Sequence, residues 1–309
     1  MILGTRGSGL ALAQADRVEA LLKEFTTNIQ REIIKSTGDT FTDRPLHEVG
    51  GVGVFVRELD DRMFAGEVDI AVHSMKDLPT QRPEGLALAA VLKRDSPYDV
   101  LLTKDGLKID ELPEASVIGT TSMRRRAQLL RYRPDLEIKD LRGNIHTRIR
   151  KLNEGQYDGI LLAKAGLERM GWDMNAQPLD PEDFCPSANQ GTIAVVTRVG
   201  EEAEELCSKI DHAESRLATE VERLIIRDVE GGCIVPIGSF AKVIKNGKKI
   251  HIRAEVLSLD GDRAIRIDEK IPVDGYREHA LELGKNLADL GGRDLVYEAV
   301  ERLGISKVG

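Results

Sequence analysis

Cys233 stands directly after Gly231 and Gly232, between a long helical pattern and an alternating strand pattern. Paired glycines end a helix without strain, because glycine takes the left-handed cap conformation freely. The cysteine is therefore expected on a turn, where a thiol can serve as a nucleophile or an attachment point. The bland alternative is a small buried hydrophobe, the commonest state of a free cysteine. A second stretch, His73-Ser74-Met75-Lys76-Asp77-Leu78-Pro79, sets a hydroxyl, a cation and a carboxylate beside the end of an apolar strand. That combination suits binding and proton transfer, although any one charge in a polar loop is ordinarily solvated. A third runs from Arg124 to Lys151, with eight Arg and two Lys against Asp135, Glu137 and Asp140, a local +7 in a chain of net −8. Arg124 and Arg125 fall in the first turn of an expected helix, where the dipole already favours anions. A bound anion would offset that repulsion, and arginine rather than lysine points to bidentate carboxylate or phosphate recognition. Arg131, Arg133 and Lys139 are expected on solvated faces. Nucleic acid is disfavoured by the net charge and by the presence of only Tyr132 for stacking in this stretch. Gly4, Gly7 and Gly9 do not have dinucleotide-fingerprint spacing.

The elements that must position these groups alternate. Ile2 to Arg6 reads as a strand, Ser8 as the cap of a helix through Leu22, and Glu32 to Lys35 as a second strand. Thr37-Gly38-Asp39-Thr40 opens a polar loop containing Gly50-Gly51-Val52-Gly53. A helix over Phe55 to Ala65 and strands at Asp69 to His73 and Leu86 to Leu92 follow. The rhythm restarts with strands at Val100 to Thr103, Ser116 to Gly119, Leu136 to Leu141 and Gly159 to Ala163. Thr121-Ser122 caps one helix that runs to about Arg133, Asn144 caps another, and Lys164 to Met170 forms a third. Such alternation implies mainly parallel sheets, with ligands at the carboxyl ends of strands. Gln190 to Val196 is a late strand of the kind that crosses back to a first lobe in two-lobed folds of the periplasmic-binding-protein type. Asp211, with Glu214, is expected to cap a long helix. Three antiparallel strands near Ile234 to Val243, Lys249 to Leu257 and Ala264 to Val273 come next, turning at Asn246-Gly247 and Asp260-Gly261. Two amphipathic helices close the chain. The expected fold is α/β: two periplasmic-binding-protein-like lobes with a cleft between them, plus a C-terminal α+β domain with a three-stranded antiparallel sheet. The boundaries are 1–92 with 191–210 for the first lobe, 93–190 for the second, and 211–309 for the third domain.

No apolar run approaches the roughly 18 residues of a membrane helix, and the N-terminus lacks the pattern of a signal peptide. An odd number of cysteines, Cys185, Cys207 and Cys233, without metal-ligand spacing argues against a disulfide framework and a zinc site. These features together point to a soluble protein of a reducing cytoplasm with no metal, membrane or nucleic-acid partner; a monomer is the expectation, although the sequence does not reveal the oligomeric state.

Glu230 to Ser239 resembles the cofactor-attachment loop of the porphobilinogen deaminase (hydroxymethylbilane synthase) family, and His73 to Pro79 resembles its catalytic loop. Gly119 to Arg125, Leu141 to Arg148, Ala165 to Arg169, Arg6-Gly7-Ser8 and Gln190-Gly191 are similar to further family segments, in family order and across nearly the whole chain. The resemblance implies head-to-tail condensation of porphobilinogen into the linear tetrapyrrole hydroxymethylbilane, with loss of ammonia. It implies a dipyrromethane cofactor joined to Cys233 through a thioether and retained as primer. Each pyrrole carries an acetate and a propionate, which would explain the arginines. By resemblance Asp77 is the catalytic group, binding pyrrole N–H groups, assisting loss of the amine and stabilising the cationic azafulvene that results. Lys76, Ser122, Arg124, Arg125 and Arg148, with Asp77 and Cys233, would hold the cofactor. Arg6, Ser8, Thr121, Arg142, Arg169 and Gln190 would hold substrate.

The chain departs from the family where Val52 stands in place of a common Lys and where a Lys is often found near Glu48. Asn189 and Cys185 also sit in unusual local contexts. His73 is the rival proton carrier to Asp77. Arg125→Leu and Arg142→Leu are expected to lose binding while the fold survives. A non-catalytic two-lobed receptor for an organic polyanion would explain the arginines but not the Cys233 loop or the third domain.

Overall fold

The computed structural model describes residues 1–34, 54–229 and 235–304. The Cys233 turn and the loop with Thr37 to Asp39, Glu48 and Val52 lie outside the described residues.

Three sheets organise the chain. In the first, β1 (Ile2–Arg6) pairs in parallel with β2 (Gln30–Ile34) and β3 (Ile70–Ser74). β4 (Leu86–Val91) lies at the far edge, and the late strand β10 (Ile193–Arg198) enters antiparallel between β3 and β4. The order is β2-β1-β3-β10-β4. The second sheet is built from β5 (Asp99–Thr103), β6 (Val117–Gly119), β7 (Glu137–Lys139), β8 (Gly159–Ala163) and β9 (Gln177–Pro178). Its order, β7-β6-β8-β5-β9, repeats the first pattern, with β5 antiparallel to both neighbours. Both sheets are thus the lobes expected, and β10 is the expected return strand.

The central strands of each lobe are apolar on both faces because helices cover both. Leu3, Ile70, Val72 and Val195 pack with Ala15, Val18 and Leu22 of α1 (Gly9–Leu22) on one side of the first sheet. Ala71, Val91, Ala194 and Val196 pack with Val56, Leu59 and Met63 of α2 (Val54–Phe64) on the other. In the second lobe, α3 (Met123–Tyr132), α4 (Ile145–Asn153) and α5 (Lys164–Arg169) follow β6, β7 and β8. α6 (Glu202–Ser208) returns to the first lobe, and α7 (Ala213–Arg227) follows it in the chain.

The third sheet is an antiparallel meander of β11 (Ile237–Ile244), β12 (Lys249–Leu257) and β13 (Ala264–Pro272). It starts three residues later than expected, after Pro236, which has no N–H for the ladder. Two helices, α8 (Tyr276–Leu287) and α9 (Arg293–Arg302), follow it.

The chain divides into two compact units: residues 1–95, 168–172 and 190–217, and residues 96–167, 173–189 and 218–309. The second lobe and the C-terminal sheet thus fall in one unit, and the chain passes between the units after Asp95, Leu167, Trp172, Asn189 and Leu217. Asp211 does not cap α7. Its carboxylate accepts from the Val91 N–H at 2.7 Å and pairs with Arg216 at 2.8 Å. His212 takes the capping place instead, its Nδ1 accepting the Ser215 N–H at 3.2 Å.

Candidate active site

In the first unit β1 and β3 run parallel, so their carboxyl ends share one edge of the sheet. Arg6 closes β1, and Ser8 caps α1, its hydroxyl accepting the Ala11 N–H at 3.2 Å. β3 ends at Ser74, whose hydroxyl receives Gln14 Nε2 at 2.7 Å, and a single helical turn over Met75–Asp77 follows. Met75 and Leu78, three residues apart, are both buried and pin this turn to the core. The two residues between them are thereby turned outward. Lys76 is half-buried, and Asp77 is exposed with no hydrogen bond or ion pair among the described residues. His73 is buried inside the strand, and its Nε2 has no partner among the described residues. Burial, and then the charges of Arg82 and Arg6, hold its pKa down to about 3. A neutral imidazole sealed from solvent is a poor proton carrier, so of the two rivals Asp77 alone is presented at the edge.

In the second unit β6 is parallel to both β7 and β8, and the loops that follow them converge in the same way. Ser122 caps α3 by accepting the Arg125 N–H at 3.4 Å, and the Thr121 hydroxyl donates to the Leu141 carbonyl at 3.4 Å. Arg124 and Arg125 are 4% and 7% exposed, too buried to persist without partners. Asp99, at the start of β5, supplies one: its two oxygens take Arg124 Nη2 at 2.8 Å and Arg125 Nη2 at 2.6 Å. Arg125 Nη1 donates to the Leu161 carbonyl at 3.1 Å. Asp99 was not among the expected site residues. An acid opening an otherwise apolar strand is the signal that a buried cation must answer it.

The next loop carries Arg142-Gly143-Asn144. Gly143 has φ +110°, and a Cβ there would lie 2.7 Å from Thr147 Cγ2, so the turn admits only glycine. Asn144 caps α4 through the Thr147 N–H at 2.9 Å. Arg148 Nε donates to the Gly143 carbonyl at 2.8 Å, and the guanidinium has no acid partner among the described residues. Burial, then the neighbouring Arg125 charge, pulls its pKa down to about 10. The half-buried Arg142 guanidinium makes no hydrogen bond among the described residues. Arg133 differs from the solvated charge expected: it pairs with Asp135 at 2.6 Å and donates to the Ile109 and Leu112 carbonyls.

Arg169 and Gln190 stand at the crossovers. Arg169 Nε pairs with Asp95 at 2.8 Å, and Nη2 donates to the Gly191 carbonyl at 2.7 Å. Arg17 pairs with the same Asp95. Gln190 is buried, and its carbonyl accepts from Arg94 Nε at 2.8 Å.

The donor set fits a polycarboxylate. Among Arg124, Arg125, Arg142 and Arg148, Asp99 is the one carboxylate engaged among the described residues. Arg148, with a charge raised in energy by burial, and Arg142, with no protein acceptor among them, would each be stabilised by a ligand anion.

Residues 1–205 match a family model described as "Porphobilinogen deaminase, dipyromethane cofactor binding domain", and residues 216–290 match "Porphobilinogen deaminase, C-terminal domain". The chain is 69% identical over 300 residues to a probable porphobilinogen deaminase of Methanococcoides burtonii, covering 97% of each chain. It is 61% identical to one from Methanosarcina acetivorans, covering 100% of this chain and 98% of that one. A porphobilinogen deaminase of Syntrophobacter fumaroxidans is 42% identical, with 96% of each chain covered.

Proposed function

The chain belongs to the porphobilinogen deaminase family, and from that premise we propose how its residues divide the work. The reaction joins porphobilinogen units head to tail into hydroxymethylbilane and releases ammonia at each addition. The dipyrromethane, when bound, supplies the primer to which the first unit is joined.

Asp77 is the catalytic group. Ionised, its carboxylate accepts hydrogen bonds from pyrrole N–H groups and offsets the positive charge that develops as the amine departs. Protonated, it gives its proton to that amine. Its exposure between the buried Met75 and Leu78 supports this role, as does the sealed state of His73. Lys76, Arg6 and Ser8 bind on the same sheet edge.

Arg142 and Arg148 contact acetate and propionate groups directly, and the observation that carries this is their lack of any acid partner among the described residues. Arg124 and Arg125 face the same anions with the N–H groups that Asp99 and its neighbours leave over, and Thr121 and Ser122 shape the turn beside them. Arg169 and Gln190 act at the crossovers, holding the first unit's edge.

Cys233 carries the cofactor through a thioether, in a C-terminal domain of residues 211–309. Its two alternatives, Cys185 and Cys207, are buried free thiols, and burial pushes both thiol pKa values up, with Cys207 at about 12. Neither is suited to attack. Among the described residues no helix is long and apolar enough to cross a membrane. The protein acts as a cytoplasmic monomer without nucleic acid.

The test is intact mass of the denatured protein. It should exceed the sequence mass by two linked pyrroles, and Cys233→Ser should abolish the excess. An adduct on Cys185 or Cys207 would overturn the attachment. A bare chain that releases no ammonia from porphobilinogen would favour a polyanion receptor, a reading that the C-terminal family match over 216–290 disfavours.

A further inference from the structure

The C-terminal sheet meets the arginine helix in two independent places. The turn between β12 and β13 carries Gly261 at φ +80°, and a Cβ there would lie 2.4 Å from the Ala127 carbonyl of α3. Beside it runs a buried polar relay. Glu255 on β12 is 1% exposed, and Gln128 on α3 is fully buried. Gln128 Nε2 donates to Glu255 Oε1 at 2.6 Å and to the Cys185 carbonyl at 2.8 Å. Gln128 Oε1 accepts from Arg124 Nη1 at 2.9 Å, and the same Nη1 reaches the Cys185 carbonyl at 2.8 Å. Arg124 Nη2 lies in ion-pair contact with Asp99 Oδ2 at 2.8 Å, outside the hydrogen-bonded relay. On the other side, Glu255 Oε2 pairs with Arg266 at 3.0 Å.

The chemistry of an amide makes this relay directional. Nitrogen only donates and oxygen only accepts. With Glu255 as acceptor, the Gln128 nitrogen must face it, which aims the oxygen at Arg124. The reversed amide would set oxygen against carboxylate and N–H against guanidinium. Both hydrogens of Arg124 Nη1 are then committed, and the plane of its guanidinium is fixed.

We infer that Glu255 is a positioning residue for Arg124, acting through Gln128, so that the C-terminal sheet sets the orientation of a carboxylate-binding arginine in the second lobe. This rests on the reading that Arg124 holds primer or substrate carboxylates. It assigns to β12 a part in ligand binding beyond its place in the fold.

The test uses holoenzyme of Glu255→Leu, Glu255→Gln, Gln128→Met and Arg124→Lys. Three readouts are taken: the fraction carrying the cofactor mass, KM for porphobilinogen, and the melting temperature. Glu255→Gln can still accept from Gln128 through its oxygen, with its nitrogen turned to the more exposed Arg266, and should keep KM closer to the parent than Glu255→Leu does. Glu255→Leu and Gln128→Met should lower the loaded fraction or raise KM at least about fivefold, the equivalent of one misdirected hydrogen bond. A structural role alone would lower the melting temperature of Glu255→Leu and leave loading and KM parental, and that result would overturn the inference. Failure of both Glu255→Leu and Gln128→Met to fold would overturn it as well, since the relay would then be a requirement of the fold. A raised KM in Arg124→Lys beside parental Glu255→Leu would sink the relay alone. A parental Arg124→Lys would instead remove the reading beneath it.

Discussion

Arg125 grips one oxygen of Asp99 with two nitrogens, Nε at 3.1 Å and Nη2 at 2.6 Å, in a pocket where the carboxylate is 1% exposed. Arg124 takes the other oxygen. One buried acid therefore holds two guanidinium groups in the first turn of a helix, where the dipole repels them.

Asp99→Asn should accordingly be a folding mutation. It leaves two buried cations without their counter-ion, a loss of about 3–5 kcal/mol by comparison with other broken buried pairs. Urea unfolding of parent and variant measures it. A change below about 1 kcal/mol would mean that the arginines find another partner.

The same geometry corrects the expectation for Arg125→Leu, which the sequence treats as harmless to the fold. Removing Arg125 takes from Asp99 a partner it has in a fully enclosed site, so stability should fall along with binding. Arg142→Leu separates the two effects. Its guanidinium supports nothing among the described residues, so melting should be parental while binding weakens by roughly 1.5–3 kcal/mol for each charge-assisted hydrogen bond to the ligand that disappears.

For Asp77→Asn the melting temperature should be unchanged, because the exposed carboxylate holds no part of the fold. Single-turnover rates on primer-loaded protein should fall at least about a hundredfold. Asp77→Glu should lose less, since the charge remains at a displaced position. A rate within a few-fold of the parent in Asp77→Asn would remove it from the reaction.

His73 ties stability to pH. The folded protein keeps it neutral down to about pH 3, whereas the unfolded chain protonates near 6.5. Between those limits the unfolded chain binds more protons, so this contribution is complete above 6.5 and is lost as pH falls toward 3. His73→Gln does not titrate. Its loss of unfolding free energy between pH 7 and pH 5 should be smaller than the parent's by about 2 kcal/mol. Equal losses in the two proteins would show that the imidazole is charged in the fold.

The parts of this site that were legible in the sequence are local ones. Ser8, Ser122 and Asn144 each cap the helix expected of them, because a cap is decided by a side chain and the N–H three residues on. The two lobes and the return strand followed from strand–helix alternation. Asp211 looked like a cap by the same local logic, but a backbone N–H 120 residues away claimed its carboxylate. Asp99 and Glu255 escaped for a related reason. Their partners are distant in sequence, so only the folded chain shows which group of α3 each buried acid answers, two arginines for Asp99 and an amide for Glu255.

The order β2-β1-β3-β10-β4 also bears on the timing of folding. β10 lies inside the first sheet with a neighbour on each side, yet it is formed by residues 193–198. A ribosome that has released only the first hundred residues has released β1 to β4 with a gap where β10 belongs. β3 and β4 then each expose an unpaired edge, a surface prone to wrong pairing. The first lobe cannot close until the second has been synthesised, so its folding depends on long-range pairing, the slow kind. A chain cut anywhere before residue 193 loses the strand that joins β4 to the rest of its sheet, and with it the support beneath the Asp77 turn, whose Met75 N–H is held by the Thr192 carbonyl at 2.9 Å.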